Sequence, residues 1–106
     1  MDEGFERVAA LSDLLDGDLM AVDVQGESVL LANVDGQVYA ISETCSHEGA
    51  PLSEGYLLDG TCLECPWHAG HFDLTDGSVL EAPPIVDLTA YAVQVDGDDI
   101  YVGPAL

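Results

Sequence analysis

The stretch "ECPWHAGHF", residues 64–72, places Cys65 and His68 three positions apart. Proline, tryptophan and glycine lie between or beside them, and the stretch lacks the regular alternation of a β-strand. A thiol and an imidazole at such a short spacing, in an irregular stretch, are typical of a metal site. Such a site needs further ligands, which the rest of the chain must supply.

A second irregular stretch, "SETCSHEGAP" at residues 42–51, contains Cys45 and His47. Residues 48–64 separate this pair from Cys65. Four ligands of this kind suit either zinc or an iron–sulfur cluster. A Cys2His2 zinc finger usually has its two cysteines first and its two histidines later, whereas here each stretch has one of each kind. The mixed order favours the cluster, and a zinc-binding structural module stays as an alternative.

The rest of the chain has the pattern of short β-strands. Apolar and polar residues alternate in several runs rich in Val, Ile, Leu and Tyr, and Asp-Gly, a dipeptide typical of tight hairpins, recurs between them. The Asp-Gly pairs begin at positions 16, 35, 59, 76 and 96. The predicted strands are 5–8, 19–24, 28–33, 38–41, 56–58, 61–64, 71–73, 79–80, 88–95 and 100–102. Only residues 11–17 indicate a helical turn, with Ser12 as a candidate N-cap. The sequence therefore predicts an all-β fold, a small antiparallel barrel or sandwich.

Length and charge limit the classes of protein. A chain of 106 residues predicts a single domain over residues 1–106. Its 21 Asp and Glu residues oppose one Arg and no Lys, a formal charge of −20, which disfavours nucleic acid and anionic lipid as partners. No apolar run approaches the roughly 20 residues that span a bilayer. The acidic N-terminus differs from a secretory signal, and three cysteines argue against a disulfide framework, so we expect a cytoplasmic protein.

The chain resembles the Rieske [2Fe-2S] proteins. The resemblance is carried by "CSH" and "CPWH" and extends through "LSEGYLLDG", "FDLTDGSVL" and "PP" over nearly the whole chain. It implies that Cys45 and Cys65 bind the inner iron of the cluster and that His47 and His68 bind the outer iron. It also implies the Rieske fold, in which a smaller cluster-binding part with two loops, here about residues 43–72, caps a barrel-like base.

The resemblance implies a function as well. Two neutral imidazoles in place of two thiolates make the oxidised cluster electrically neutral, so it accepts an electron more easily than a four-thiolate cluster, at about −150 to +300 mV instead of about −400 mV. Nothing in this arrangement of ligands offers a general base, a nucleophile or a substrate pocket. We therefore expect a one-electron carrier, monomeric or weakly associated, and not an enzyme.

The expected partners of this carrier are a reductase and the terminal oxygenase of a ring-hydroxylating dioxygenase system, each with a basic docking face. The small Rieske subunit of an assimilatory nitrite reductase is the alternative, because it needs the same cluster and a similar docking face.

Four positions predict a low reduction potential. In the high-potential Rieske proteins of quinol-oxidising complexes, a disulfide joins the two loops, and Ser and Tyr hydroxyls donate hydrogen bonds to the cluster sulfurs. This chain has Ala50 and Trp67 at the disulfide positions, Gly70 at the serine position and Phe72 at the tyrosine position. Hydroxyl donors stabilise the reduced cluster, so their absence predicts a potential near the bottom of the family range, about −150 mV.

Other residues close to the two motifs have plainer interpretations. His71 lies outside both spacings and begins a predicted strand, so we expect a surface or supporting residue. Cys62 forms a C-x-x-C pattern with Cys65, but without a βαβ context it is interpreted as a small buried hydrophobe. Trp67 is expected to shield the cluster from water.

Prolines and acids complete the set of candidates. The pair Pro83-Pro84 is either a rigid turn or a third loop against the cluster, and both readings stay open. Glu43, Glu48 and Glu64 are interpreted as part of an acidic surface whose field opposes reduction. The complete absence of Lys favours a chain from a salt-accumulating organism over an ordinary acidic ferredoxin that docks on basic partners.

Overall fold

The computed structural model describes residues 4–44, 51–58, 60–66, 70–81 and 88–106. Ten strands and two short 3₁₀ turns, at Leu11–Asp13 and Leu52–Glu54, form these parts of the chain. The strands are β1 (Glu6–Ala10), β2 (Leu19–Val24), β3 (Glu27–Val34), β4 (Gln37–Ser42), β5 (Tyr56–Leu57), β6 (Cys62–Glu64), β7 (His71–Asp73), β8 (Val79–Glu81), β9 (Ala90–Asp96) and β10 (Asp99–Ala105).

The strands form two antiparallel sheets. The larger sheet has the order β1-β10-β9-β4-β3-β2, and its edge strands β1 and β2 approach each other, so the sheet is a nearly closed barrel. The smaller sheet has the order β5-β6-β7-β8 and lies in the chain between β4 and β9. The predicted all-β architecture, with a barrel-like base and a smaller second part, is confirmed.

Strand β3 explains how the two sheets share the apolar residues. Val29 and Leu31 point to one face of β3 and Leu30 and Ala32 to the other, and all four are fully buried. One face belongs to the barrel core, which consists of Leu14, Val24, Val29, Leu31, Val38, Ala40, Ile100 and Val102. The other face belongs to the interface core, which consists of Leu30, Ala32, Ile41, Leu52, Leu63, Cys65, Phe72, Leu74, Leu88 and Ala90. A strand covered on both sides needs a continuous apolar run, as "VLLA" provides.

Two of the tight hairpins use left-handed backbone at both central residues. Asp35 and Gly36, with φ of 52° and 87°, join β3 to β4, as the Asp-Gly pattern predicts. The β2–β3 hairpin has the same backbone at Gln25 and Gly26. By contrast, the Asp-Gly pair that begins at position 16 joins no hairpin, because it lies between the first 3₁₀ turn and β2.

The N-cap prediction is wrong. Ala10 precedes the first 3₁₀ turn, and Ser12 lies inside it, where its hydroxyl donates to Asp98. A hydrogen bond to the β9–β10 turn, beside the paired ends of β1 and β10, therefore takes the place of a local cap.

All ten predicted strands are present, with small differences at their ends. The largest difference is at β10, which was predicted to end at residue 102 and continues to Ala105. It passes through Gly103 and Pro104 because the register with β9 shifts between Val102 and Ala105, so the missing N–H of proline falls at an irregularity. Within the described residues, no helix has the length and apolar character needed to cross a membrane.

Candidate functional site

Only one of the four predicted ligands lies among the described residues. Cys65 follows β6 directly, is 3% exposed and belongs to the interface core. Cys45, His47 and His68 fall on residues 45–50 and 67–69, outside the described ranges, as do Ala50 and Trp67. The structure therefore describes the surroundings of one predicted ligand, Cys65, and the ligand set stays a prediction.

The ends of residues 67–69 are joined by backbone hydrogen bonding. The N–H of Cys65 donates to the carbonyl of Gly70 at 2.7 Å, and beyond it Glu64 pairs with His71 in the β6–β7 ladder. We call Cys65 and Gly70 the second neck. The β6–β7 hairpin thus fixes the position of the Cys65 backbone.

The ends of residues 45–50 are joined in the same way. Thr44 and Pro51 form an isolated antiparallel bridge, and the N–H of Leu52 donates to the carbonyl of Glu43 at 2.7 Å. These four residues are the first neck. The N–H of Glu43 donates to Ser28 on the barrel, which anchors the first neck to the larger sheet.

The two necks lie close together because Gly55 has no side chain. It follows the second 3₁₀ turn, and an added Cβ would lie 3.0 Å from the carbonyl oxygen of Leu52 and 3.3 Å from Cδ of Pro66, and would overlap the carbonyl oxygen of Glu64. The next residue, Tyr56, pairs with Glu64 in the β5–β6 ladder. The chain that leaves the first neck therefore runs directly against the second, because position 55 has no side chain.

Cys62 differs from its sequence interpretation. It lies in β6 as predicted but is only half-buried, whereas Leu63 and Cys65 belong to the interface core. Successive side chains of a strand point to opposite faces, so Cys62 lies on the outer face of the smaller sheet. The C-x-x-C spacing therefore does not place the two thiols on one face.

His71 begins β7, as expected for a surface or supporting residue. Its Nε2 lies 3.6 Å from Oε1 of Glu64, and both side chains are about one-quarter exposed, at 25% and 27%. Within the described parts, no group of three or more His, Cys, Asp or Glu side chains is arranged to hold a metal ion.

Phe72 and Gly70 lie close to Cys65. Phe72 is fully buried in the interface core that contains Cys65, and Gly70 is buried at the second neck. These are the positions at which the sequence lacks the hydroxyl donors. The side chain at position 72 therefore packs in the same buried cluster as Cys65.

The residue that follows residues 82–87, Leu88, is hydrogen-bonded to the smaller sheet's β7–β8 turn. Pro83 and Pro84 lie outside the described residues, but the N–H of Leu88, just after this segment, donates to the carbonyl of Gly77 at 2.7 Å. Gly77 belongs to the β7–β8 turn, in which hydrogen bonds from the hydroxyl and backbone N–H of Ser78 lower the pKa of Asp76.

Sequence reasoning missed the role of Glu43. It is half-buried, and its carboxylate accepts hydrogen bonds from the backbone N–H of Ser53 at 2.8 Å and from the Ser53 hydroxyl at 2.6 Å. It is therefore more than a member of an acidic surface. The only signal in the sequence is that "LSE" at 52–54 resembles "LSD" at 11–13, where a second carboxylate binds the serine in the same way.

Comparison with known proteins identifies the family to which the chain belongs. The family model described as the Rieske [2Fe-2S] domain matches residues 5–92. The chain is also similar to the ferredoxin component of the naphthalene 1,2-dioxygenase system of Pseudomonas putida, with 41% identity over 90 residues, which are 85% of this chain and 86% of the relative. The chain therefore belongs to the Rieske [2Fe-2S] family, and its cofactor is a Rieske-type [2Fe-2S] cluster.

Solved structures with a similar fold include chains from carbazole dioxygenase systems and a nitrite reductase subunit. The fold is similar to that of the ferredoxin of carbazole 1,9a-dioxygenase from Nocardioides aromaticivorans IC177, with a TM-score of 0.91, 39% identity and coverage of 96% of this chain and 99% of that one. A chain from a complex of reduced oxygenase and oxidized ferredoxin in carbazole 1,9a-dioxygenase has a TM-score of 0.86 at 35% identity, covering 96% and 94%. A putative NADH-dependent nitrite reductase small subunit from Mycobacterium tuberculosis has a TM-score of 0.85 at 27% identity, covering 96% of both chains.

The described residues fit such a cluster. Cys65 supplies a buried thiol on a backbone that hydrogen bonds already hold. The other three predicted ligands, Cys45, His47 and His68, lie on residues 45–50 and 67–69, whose flanking residues adjoin at the two necks. Thiolate and imidazole donors are those of a Rieske centre, so the donor set has the right chemistry.

Proposed function

We propose that this chain is a one-electron carrier that passes electrons from a reductase to the terminal oxygenase of a ring-hydroxylating dioxygenase system. The relatives named as ferredoxin components of such systems support this role at 41% identity over most of the chain. A carrier of this kind is an electron-transfer component and not itself the catalyst. When bound, the cluster supplies the chemistry, which is the uptake and release of one electron.

The proposed ligands are Cys45 and Cys65 for one iron and His47 and His68 for the other. The single observation that supports this set is the close approach of the first neck to the second, which the missing side chain of Gly55 allows. Residues 45–50 and residues 67–69 therefore start from adjoining positions. In this proposal one domain covers residues 1–106. The part that binds the cluster, about residues 43–72, runs from the first neck to β7.

The protein side of the site does two things in this proposal. The interface core around Cys65 would exclude water from the thiolate that holds the cluster, and electrostatic interactions there would be stronger than in water. The necks hold the residues that flank the two proposed ligand segments, which would limit rearrangement of the site when an electron is taken up. His47 and His68 would hold the second iron.

The charge suggests the chemistry of the docking partners. With 21 acids and one base, the chain associates best with a reductase and an oxygenase that have basic faces around their redox centres, in small and transient interfaces. We place this exchange in the cytoplasm, with the carrier monomeric or weakly associated.

Metal analysis and EPR test the cluster, and a single-turnover assay tests the role. The purified chain should contain two irons and two sulfides per protein, show a reduced-state EPR signal and lose it on reoxidation by a ring-hydroxylating terminal oxygenase. A colourless protein that contains zinc would overturn the proposal in favour of the structural zinc module.

The nitrite reductase small subunit is a second candidate because a solved structure of that class covers 96% of this chain. The two roles require the same cluster, so spectroscopy does not separate them. Stable co-purification with a large sirohaem-containing reductase, together with failure to reduce any terminal oxygenase, would favour the second candidate.

A further inference from the structure

The carboxylate of Glu43 and the residues it binds form a compact set of hydrogen bonds. The N–H and hydroxyl of Ser53 donate to Oε1 and Oε2 at 2.8 and 2.6 Å, and the N–H of Leu52 donates to the backbone carbonyl of Glu43 at 2.7 Å. We call these three bonds the Glu43–Ser53 latch. Hydrogen bonds to a carboxylate are shorter and stronger than neutral ones.

The latch lies directly outside the segment that carries two of the proposed ligands. Glu43 stands two residues before Cys45, and Ser53 stands two residues after Pro51. Both side chains are half-buried, so the carboxylate is less screened than one on the open surface. The latch therefore holds both ends of residues 45–50 to each other.

The same arrangement occurs a second time, far from the necks. Asp98 accepts the N–H of Ser12 at 2.8 Å and its hydroxyl at 3.0 Å, and the N–H of Leu11 donates to the Asp98 carbonyl at 2.6 Å. Each latch joins an acidic residue to the first two residues of a 3₁₀ turn: its backbone carbonyl accepts from the first residue and its carboxylate accepts from the second. The Asp98–Ser12 latch is exposed and joins the β9–β10 turn to the first 3₁₀ turn, so it provides a control with matched geometry.

We propose that Glu43 is a positioning residue for the cluster, acting through Ser53 and the first neck on Cys45 and His47. This inference rests on the proposed function, because it requires those two residues to be ligands. Removing a group that orients metal ligands through hydrogen bonds typically changes metal affinity by about ten- to a hundredfold. Glu43 itself binds no iron in this account.

The test compares four variants of the cluster-loaded protein. Glu43→Ala and Ser53→Ala open the latch, and Asp98→Ala and Ser12→Ala open its counterpart. We expect the first pair to release iron to a chelator about tenfold faster or more than the wild type, and to change the line shape of the reduced-state EPR signal. The second pair should release iron at the wild-type rate with an unchanged signal, even where it lowers the melting temperature.

Ser53→Thr keeps both donors and should restore the wild-type rate and signal. If Glu43→Ala does not fold, Ser53→Ala alone decides, since it removes one hydroxyl and leaves the backbone donors in place. Wild-type iron release and an unchanged EPR signal in Ser53→Ala would overturn the inference. So would equal acceleration in both pairs, which would show a general loss of stability. A wild-type protein that binds no cluster would instead refute the proposed function.

Discussion

At the scale of single residues, Cys65 and Cys62 differ in surroundings although they lie three positions apart. Cys65 is 3% exposed and surrounded by the interface core, whereas Cys62 is half-buried on the opposite face of β6. The thiol of Cys65 is therefore removed from water, whereas the thiol of Cys62 remains partly in contact with water. A substitution at each position should have different consequences.

We predict that Cys65→Ser, like Cys45→Ser, abolishes or gravely weakens cluster assembly, and that Cys62→Ser leaves the visible spectrum intact. Serine is a poor ligand for iron in place of thiolate, and a protein without its cofactor loses the binding free energy that supports the fold. Absorption spectra and iron content of the three purified variants check this. A colourless Cys62→Ser protein would show that the ligand set has been misassigned.

Phe72 and Gly70 are the residues where the potential can be changed. The wild type should have a reduction potential of about −150 mV, and Gly70→Ser combined with Phe72→Tyr should raise it. Each hydroxyl that donates to the cluster stabilises the reduced state by about 1.5–3 kcal/mol before compensation, so two donors shift the potential by roughly 100 to 250 mV. Protein-film voltammetry measures both values.

Burial makes the outcome of Phe72→Tyr informative. Phe72 is fully buried, so a new hydroxyl there either finds an acceptor or costs about 1–3 kcal/mol of stability without one. Phe72→Leu, which adds no donor, is the control and should leave the potential nearly unchanged. A wild-type potential above about +100 mV would contradict the assignment of these positions as the ones that tune the cluster.

At the scale of elements, the contact between the second 3₁₀ turn and β6 depends on one missing side chain. Gly55 has an ordinary extended backbone, with φ of −82° and ψ of −160°, so glycine is not needed for conformation. It is needed for space, because a Cβ would overlap the carbonyl oxygen of Glu64. Backbone atoms cannot rotate aside as a flexible side chain does.

We therefore predict that Gly55→Ala costs about 1–3 kcal/mol of stability, as overpacking does, and also loosens the cluster. Gly26→Ala is the control, since Gly26 has a φ of +86° with open space around its Cβ position. It should cost about 1–2 kcal/mol through left-handed strain alone and leave cluster retention unchanged. Denaturant unfolding and chelator release measure the two effects, and equal cluster retention in both variants would contradict this role of Gly55.

Local patterns predicted the strands well and the necks poorly. The alternation in β2 and the apolar run in β3 reflect burial that the sequence itself records, so both strands were found within one residue of their ends. The cysteine and histidine motifs named the candidate ligands by type and spacing. Ser12 was misread because its partner, Asp98, is 86 positions away. Glu43 was misread for a similar reason, since its partner is known only when the first neck is formed.

At the scale of the whole molecule, the charge is almost uniformly negative. The single base, Arg7, donates from Nε to Asp99 at 2.8 Å, and this carboxylate raises the pKa of Arg7 above its ordinary value. Both partners are about half exposed, so the pair contributes little to stability. The remaining acids repel one another across a molecule with a Cα radius of gyration of only 12.7 Å. A compact chain with this charge is destabilised by self-repulsion in dilute buffer.

Salt should relieve that repulsion and raise the melting temperature. The Debye length is about 30 Å at 0.01 M salt, larger than the radius of gyration, and about 3 Å at 1 M, shorter than most distances between surface acids. We predict a higher melting temperature in 1 M sodium chloride than at tens of millimolar; chloride is preferred to sulfate, which stabilises proteins by exclusion from their surface. The double variant Asp23→Asn with Glu27→Gln, two exposed acids at the β2–β3 hairpin, should melt higher than the wild type at low salt and gain less from added salt.

A melting temperature that does not change between these conditions would count against an origin in a salt-accumulating organism. It would leave docking on basic partners as the reason for the charge, and association with those partners should then weaken steeply over the same range of salt.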